Sequence, residues 1–375
     1  MTQTTSQVTD ARVLARLRPD VQSMHAYAVQ DARGMVKLDA MENPHRLSPA
    51  LQAELGARLG ALALNRYPGE RGEDLKRALA AHAHLSDGFA LMLGNGSDEL
   101  ISLLAMACDV PGATIVAPLP GFVMYEMSAR LQGLTFVGVP LTADFEPDEP
   151  AMLDAIERHR PAVTYIAYPN NPTANLFDEG AVERIVAAIG RQDGFVVMDE
   201  AYQPFSSRTW MPRLLEHPHV LVMRTLSKFG LAGVRLGYLC GESSLIEQID
   251  KLRPPYNISA LNAEATLFAL EHADEFERQA ATLRSERARL QAAFAEVPGV
   301  RAYPSEANMI LLRVAGAGRV FESLKRHGVL VKNVAGMHPL LADCLRITVG
   351  TPEENGVLLD ALRAILNPPS ASTPP

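Results

Sequence analysis

Cysteine is scarce: Cys108, Cys240 and Cys344 are the only three in 375 residues, and they lie far apart. That excludes a disulfide framework and a zinc pattern built on cysteine pairs. Positive charge is not in excess either. With 35 Lys+Arg against 43 Asp+Glu the formal charge is −8, which argues against broad electrostatic affinity for nucleic acid or an anionic membrane and leaves room for local basic pockets. No apolar run approaches the ~18 residues of a membrane-spanning helix. The first thirty residues lack the charged-then-apolar profile of a signal peptide. Internal repeats and long linkers are missing as well. What remains is ordinary globular composition, 47% hydrophobic and 21% charged, so a mainly disordered chain is excluded. The expectation is a soluble, cytoplasmic protein whose length calls for two subdomains.

From about Phe89 onward, short apolar runs alternate with amphipathic stretches. Phe89–Leu93, Ala113–Ala117, Thr135–Val139, Val163–Ala167, Phe195–Met198, Val220–Met223 and Leu236–Leu239 read as buried strands. Helical patterns such as Asp98–Ala107, Met124–Leu131 and Glu179–Ile189 lie between several of them. Such alternation implies an α/β domain with a largely parallel sheet. A long charged helix over Glu275–Glu296 follows, and then strands at Asn308–Val314, Val329–Val331 and Leu345–Val349. That last part reads as a smaller α+β lobe. The expected division is an N-terminal arm over 1–45 joining the small domain, a large domain over 46–284 and a small domain over 285–375. Residues 1–10 and the tail from about 368 are expected to fray.

Ligands sit where strand ends and helix starts converge. Leu91-Met92-Leu93-Gly94-Asn95-Gly96-Ser97-Asp98-Glu99 is a strand, a Gly-rich turn and a helix start. Its free N–H groups make an anion cup, although Ser97 or Asp98 could equally be a plain helix cap. The Lys-Ser/Thr pair of a P-loop is missing, so a nucleoside triphosphate does not fit. Tyr168-Pro169-Asn170-Asn171-Pro172-Thr173 follows a strand and reads first as a turn, but it also places an amide over the sheet edge. In Phe195-Val196-Val197-Met198-Asp199-Glu200-Ala201-Tyr202 four apolar residues run into an acid, burying Asp199 unless a cation meets it. A structural salt bridge would explain that too. Lys228, in Arg224-Thr225-Leu226-Ser227-Lys228-Phe229-Gly230, follows another apolar strand. Most lysines are solvated, yet one forced into a desolvated place loses basicity and can form a Schiff base. Ser227 and Arg235 flank it with phosphate-binding chemistry. These pieces fit one ligand: pyridoxal phosphate has a phosphate, a ring nitrogen for Asp199, a ring hydroxyl for Asn171 and Tyr202, and an aldehyde for Lys228.

On these motifs the chain resembles the fold-type I aminotransferases, and within them the histidinol-phosphate aminotransferases, from roughly Arg18 to Leu366. The resemblance implies a large domain with a mostly parallel seven-stranded sheet, a smaller α+β domain, and a homodimer. By that likeness Lys228 corresponds to the lysine that holds the cofactor and shuttles the proton, and Asp199 to the aspartate that keeps the ring nitrogen protonated. Asn171 and Tyr202 match the pair on the ring hydroxyl, and Gly96, Ser97, Asp98, Ser227 and Arg235 the phosphate cup. Phe122 sits where the family stacks an aromatic on the ring, and Tyr67, in Asn65-Arg66-Tyr67-Pro68, where a tyrosine reaches the phosphate from the second subunit. Core packing for Phe122 and a surface turn for Tyr67 are the plainer alternatives.

Ala40-Met41-Glu42-Asn43-Pro44 resembles the family's Asn-Glu-Asn-Pro signature, which places Asn43 near the substrate. Tyr27 and Arg346, the latter in Cys344-Leu345-Arg346-Ile347-Thr348, stand where the family binds the substrate's anionic group, with Lys332 beside them in place of the usual arginine. A solvated Lys332 and a structurally paired Arg346 remain open. The departures at Met41, His45 and Ala174 are expected at the substrate mouth or in a turn; Lys228 and Arg235 also stand one residue closer than usual. The implied activity is transfer of the amino group of L-histidinol phosphate, an amino alcohol phosphate, to 2-oxoglutarate. The products are imidazole-acetol phosphate and glutamate, in histidine biosynthesis, with no metal. An aromatic or other amino-acid aminotransferase is the close alternative, and a decarboxylase of the threonine-phosphate kind a more distant one. A ligand-sensing transcription factor on the same fold would need a winged-helix module ahead of the body.

Overall fold

A strand that is apolar at every position belongs inside a sheet covered on both faces. Val163–Ala167 is such a run and is buried throughout. The computed structural model describes residues 11–24 and 30–366. In chain order the strands are β1 (Val36–Leu38), β2 (Phe89–Gly94), β3 (Thr114–Leu119), β4 (Thr135–Pro140), β5 (Val163–Ala167), β6 (Phe195–Asp199), β7 (Val220–Thr225), β8 (Gly237–Glu242), β9 (Val300–Ala302), β10 (Met309–Val314), β11 (Val329–Asn333) and β12 (Cys344–Thr348). Seven of them form one sheet in the order β2-β8-β7-β6-β5-β3-β4. The pairs β3–β4, β3–β5, β5–β6 and β6–β7 are parallel, while β8 runs against both β2 and β7. The chain is therefore α/β with a mostly parallel seven-stranded sheet, as its alternating pattern implied.

The second sheet has the order β1-β11-β12-β10-β9. Here β1 lies parallel to β11, with Val36 to Leu38 in register with Val329 to Val331. Three residues cannot make a core alone, so this strand is held by a sheet formed almost 300 residues later in the chain. The described residues up to Arg33 group apart from the body and carry the short helices Ala11–Leu14 and Pro19–Ser23. The fraying expected for 1–10 and for the tail from about 368 falls outside the described residues.

Local chemistry sets the helices between the strands. The Asp178 carboxylate accepts from the Ala181 N–H at 2.8 Å and starts the helix Glu179–Gly190. Val182, Ile185, Val186 and Ile189 then recur on one face and are buried against the sheet. Full burial of each such side chain is worth about 1.5–3 kcal/mol, and the Asp178 cap about 1 kcal/mol. Among the described residues no helix is long and apolar enough to cross a membrane, and no group of His, Cys, Asp and Glu is placed to hold a metal ion.

At the ends of β6 and β7 lies a buried ionic network. Arg224 Nε donates to Glu200 Oε2 at 2.9 Å and its Nη2 to the Thr209 hydroxyl at 2.8 Å. Glu200 also accepts from Thr209 Oγ1 and from the Trp210 N–H. Its side chain is fully buried and that of Arg224 nearly so. The charge of Glu200 thus depends on one guanidinium. Arg224→Ala should cost about 3–5 kcal/mol, because it strands a buried carboxylate, whereas the double variant Arg224→Met with Glu200→Leu should lose much less. Urea denaturation midpoints of the single and double variants measure the difference.

Candidate active site

Because β5, β6 and β7 are adjacent and parallel, their C-terminal ends open on one edge of the sheet. Asp199 ends β6 in register with Ala167 and Met223. Asn171 stands in the turn after β5, and Lys228 in the helical turn Ser227–Leu231 after β7. One cavity at this edge is lined by Ser97, Asp98, Phe122, Asn171, Asp199, Tyr202, Ser227, Lys228 and Arg235, together with Met41 and Tyr125. Residues scattered over more than a hundred positions in the sequence therefore share one wall.

Asp199 is 4% exposed. Its Oδ2 accepts from the Tyr125 hydroxyl at 2.6 Å and its Oδ1 from the Ala201 N–H at 3.0 Å. Burial pushes its pKa up to about 6, while these two hydrogen bonds pull it back. Lys228 Nζ donates to the Ala40 carbonyl at 3.0 Å. Burial pushes its pKa down to about 8, and the nearby Arg346 and Arg235 guanidiniums act in the same direction. An amine that readily gives up its proton and a carboxylate that readily takes one face the same small space. Tyr202 is enclosed beside them, its phenol held above the usual range by burial.

The other end of the cavity suits an anion. The helix Ser97–Ala107 starts at Gly96, whose φ is 80°, with no side chain capping its first N–H groups. Arg235 Nη1 reaches Ser227 Oγ at 3.4 Å, and its Nη2 lies 3.8 Å from Asp98. A Cβ on Gly96 would meet Arg235 Nη2 at 3.0 Å, and one on Gly237 would press on the Ser97 nitrogen at 2.9 Å. Both glycines let the helix start, β8 and the guanidinium converge. Uncapped N–H groups, a hydroxyl and a guanidinium together form a phosphate cradle.

Arg346 on β12 bridges to this edge. Its Nη1 donates to Asn171 Oδ1 at 2.7 Å, so the amide Nδ2 is left as the donor of Asn171, and its Nη2 donates to the Asp39 carbonyl at 2.8 Å. Lys332 pairs directly opposite Arg346 across β11 and β12. Opposite residues of an antiparallel pair leave the same face of the sheet, and neither of the two is among the residues that line the cavity.

Other expected residues fall elsewhere. Asn43 does not line the cavity; its Nδ2 donates to Gln279 at 2.8 Å and its Oδ1 accepts from the His45 N–H. Tyr67 is 76% exposed and stacks on Tyr256 at 4.4 Å. Tyr27 lies outside the described residues. Of the departures, Ala174 does sit in a turn, at φ 67°, and His45 lines a separate hollow with Arg46 and Leu47. Met41 reaches the main cavity, at φ 53°, with its N–H on Thr348 Oγ1 and its carbonyl on Asn308. Nothing in the sequence signals that conformation, which a methionine seldom adopts. Tyr125 was also missed, although it stands one helical turn from Phe122 and a turn apart means a shared face.

The donor set fits pyridoxal phosphate: an uncapped helix start with Arg235 and Ser227 for the phosphate, buried Asp199 for a ring N–H, and Lys228 for the aldehyde. The family described as aminotransferase class I and II matches residues 33–362. The chain is 69% identical to a histidinol-phosphate aminotransferase of Methylibium petroleiphilum, over 94% of this chain and 96% of that protein. It is 64% identical to one of Paracidovorax citrulli, over 95% and 99%. In structure it resembles the histidinol-phosphate aminotransferase of Sinorhizobium meliloti in complex with pyridoxal-5'-phosphate, with TM-score 0.82, 25% identity, and 94% and 98% of the two chains covered.

A desolvated amine makes a checkable statement. In the cofactor-free protein, acylation of Lys228 followed by mass spectrometry should reach half its maximal rate near pH 8 rather than near the ordinary 10.5. A half-point near 10.5 would show that the cavity does not desolvate the amine.

Proposed function

The chain belongs to the class I and II aminotransferases, and on that premise we propose that it moves the amino group of L-histidinol phosphate to 2-oxoglutarate, giving imidazole-acetol phosphate and L-glutamate in histidine biosynthesis. The observation that carries this reading is the 69% identity to a histidinol-phosphate aminotransferase over 94% of the chain. Lys332 and Arg346 support it, since paired cations suit a phosphate in one substrate and a carboxylate in the other.

Pyridoxal phosphate, when bound, supplies an aldehyde for the amino group and an electron-withdrawing ring. The N–H groups at Gly96, Ser97 and Asp98, with Ser227 and Arg235, would hold its phosphate. Phe122 would cover the ring, and Asn171 Nδ2 and the Tyr202 hydroxyl would donate to the ring oxygen. The Asp199 carboxylate would pair with a protonated ring nitrogen and keep the proton there, because burial makes an unpaired carboxylate costly. Lys228 Nζ would take the proton from the substrate carbon that bears the amino group and then give it up again, acting first as base and then as acid. A nitrogen whose pKa lies about 8 can do both near neutrality. Arg346 orients the substrate's anionic end and, through Asn171 Oδ1, the amide that faces the ring.

The assembly and compartment belong to the same proposal. A homodimer accounts for Tyr67 and Tyr256, 76% and 58% exposed yet stacked on one another: an aromatic pair left in water is a surface that a second copy can cover, and from it Tyr67 would reach the partner's phosphate. A cytoplasmic place agrees with three free, buried cysteines. The arm over 1–45, the large domain over 46–284 and the small domain over 285–375 remain the proposed division. Tyr27 and Asn43 enter the proposal on the resemblance alone, Asn43 standing outside the cavity with its amide on Gln279.

Arg346→Ala should weaken both half-reactions at least about tenfold, since a charge-assisted hydrogen bond is worth roughly 1.5–3 kcal/mol. Lys332→Ala should harm histidinol phosphate more than unphosphorylated histidinol in steady-state assays. Equal loss for the two would favour an aminotransferase for aromatic amino acids instead. Mixing Lys228→Ala with Tyr67→Phe subunits should produce hybrids with one intact site and activity above either parent; no recovery after confirmed subunit exchange would exclude a shared site.

A further inference from the structure

Beside Asp199 stand two buried, stacked tyrosine rings, Tyr125 and Tyr165, that neither the sequence motifs nor the proposed chemistry uses. Tyr125, on the helix Val123–Gln132, is 2% exposed. Its ring lies nearly parallel to that of Tyr165 on β5, with centroids 4.3 Å apart and planes 6° from parallel. Phe122 meets the Tyr125 ring edge-on, with centroids 5.6 Å apart. Tyr165 is fully buried and its hydroxyl has no hydrogen-bond partner. The two phenols therefore differ in one respect. Tyr125 places its O–H 2.6 Å from Asp199 Oδ2, and Tyr165 only supports the ring that does so.

The geometry points to Tyr125 as a positioning residue that keeps Asp199 ionised and aimed at the cofactor's ring nitrogen, with Tyr165 as the stacking platform that fixes the donor. This rests on the proposed role of Asp199. The phenol has one proton to give, and its own ionisation is strongly suppressed by burial and by the adjacent carboxylate, so it acts as a donor and not as an acid. The donated bond favours the charged form of Asp199, opposing the burial that pushes it up to about 6. The other groups facing Asp199 are fixed around it. Asp98 on the helix Ser97–Ala107 and Glu200 next in sequence raise its proton affinity, and Glu200 is itself paired with Arg224 of β7. Tyr202, Lys228 and Arg235 share the cavity. Tyr125 is the side chain in this set that donates directly to the carboxylate.

The sign follows directly. Removing the donor makes Asp199 hold a proton more tightly, so the proton shared with the ring nitrogen shifts toward the carboxylate. A hydrogen bond to a charged group is worth about tenfold to a hundredfold in such an equilibrium, so the shift should be about one to two pH units. The test compares holoenzymes carrying Tyr125→Phe and Tyr165→Phe, the same loss of one hydroxyl from stacked neighbours. With ring-15N-labelled pyridoxal phosphate, Tyr125→Phe should move the nitrogen resonance toward its unprotonated position, and the acid limb of kcat should rise by about one to two pH units. Tyr165→Phe should change neither. Unchanged resonance and pH profile in Tyr125→Phe, or equal changes in both variants, would overturn the inference. Should Tyr125→Phe fail to fold, 3,5-difluorotyrosine at position 125 keeps the ring and strengthens the donor, and must move the acid limb downward; an unmoved limb overturns the inference equally. Asp199→Ala measured alongside separates the two readings. If it too leaves the nitrogen resonance unmoved, the role of Asp199 itself fails, whereas an effect there without one in Tyr125→Phe removes Tyr125 alone.

Discussion

A carboxylate at the end of an apolar strand must be compensated, and much of this site follows from that requirement. β6 carries Asp199 to the sheet edge with four apolar residues behind it, and the neighbouring strands leave it 4% exposed. Isolated in that setting the charge would cost several kcal/mol. The structure answers with a phenol and a backbone N–H on the protein side and a cavity on the other, where a protonated ring nitrogen would complete the shell. The next residue obeys the same rule through different partners: Glu200 is buried as fully and is satisfied wholly by protein groups, Arg224, Thr209 and the Trp210 N–H. Adjacent acids thus face opposite ways, one toward a ligand and one into the fold.

A second constraint joins the two sheets. Arg346 belongs to the smaller sheet, yet it donates to Asn171, which follows β5 of the larger one, and to the carbonyl of Asp39 just beyond β1. Ala40 next accepts from Lys228, and Met41 is tied at both its N–H and its carbonyl to Thr348 and Asn308. Three consecutive residues after a three-residue strand are therefore fixed by side chains from both sheets. A segment with so little apolar surface of its own holds its path through these bonds, and Met41 keeps an unfavourable backbone angle because two buried partners determine it.

Much of the fold was legible because burial in a parallel sheet leaves continuous apolar runs. The apolar run Val163–Ala167 coincides with β5 at both ends, and most other strands end within a residue or two of their apolar runs. The ends of β7 and β8 ran further, since Arg224 and Glu242 continue their ladders despite polar side chains. In the site, Asp199, Asn171, Lys228 and Arg235 were legible because each lies at or near the end of an apolar strand and breaks its pattern, and the structure brings all four to one cavity. Asn43 followed the motif but turns its amide to Gln279 on the helix Ala273–Ala295, a partner 236 positions away that no local pattern reveals.

The sequence by itself determined the strand–helix alternation, the strand ends that carry chemistry and the class of ligand those residue types can hold, because these depend on neighbours within a few positions. Tertiary structure alone decided that Tyr125 reaches Asp199, that Met41 enters the cavity, and that Lys332 stands opposite Arg346. Each of those depends on which distant segments become neighbours, and the last also on strand register, where a shift of one residue would turn the side chain to the opposite face.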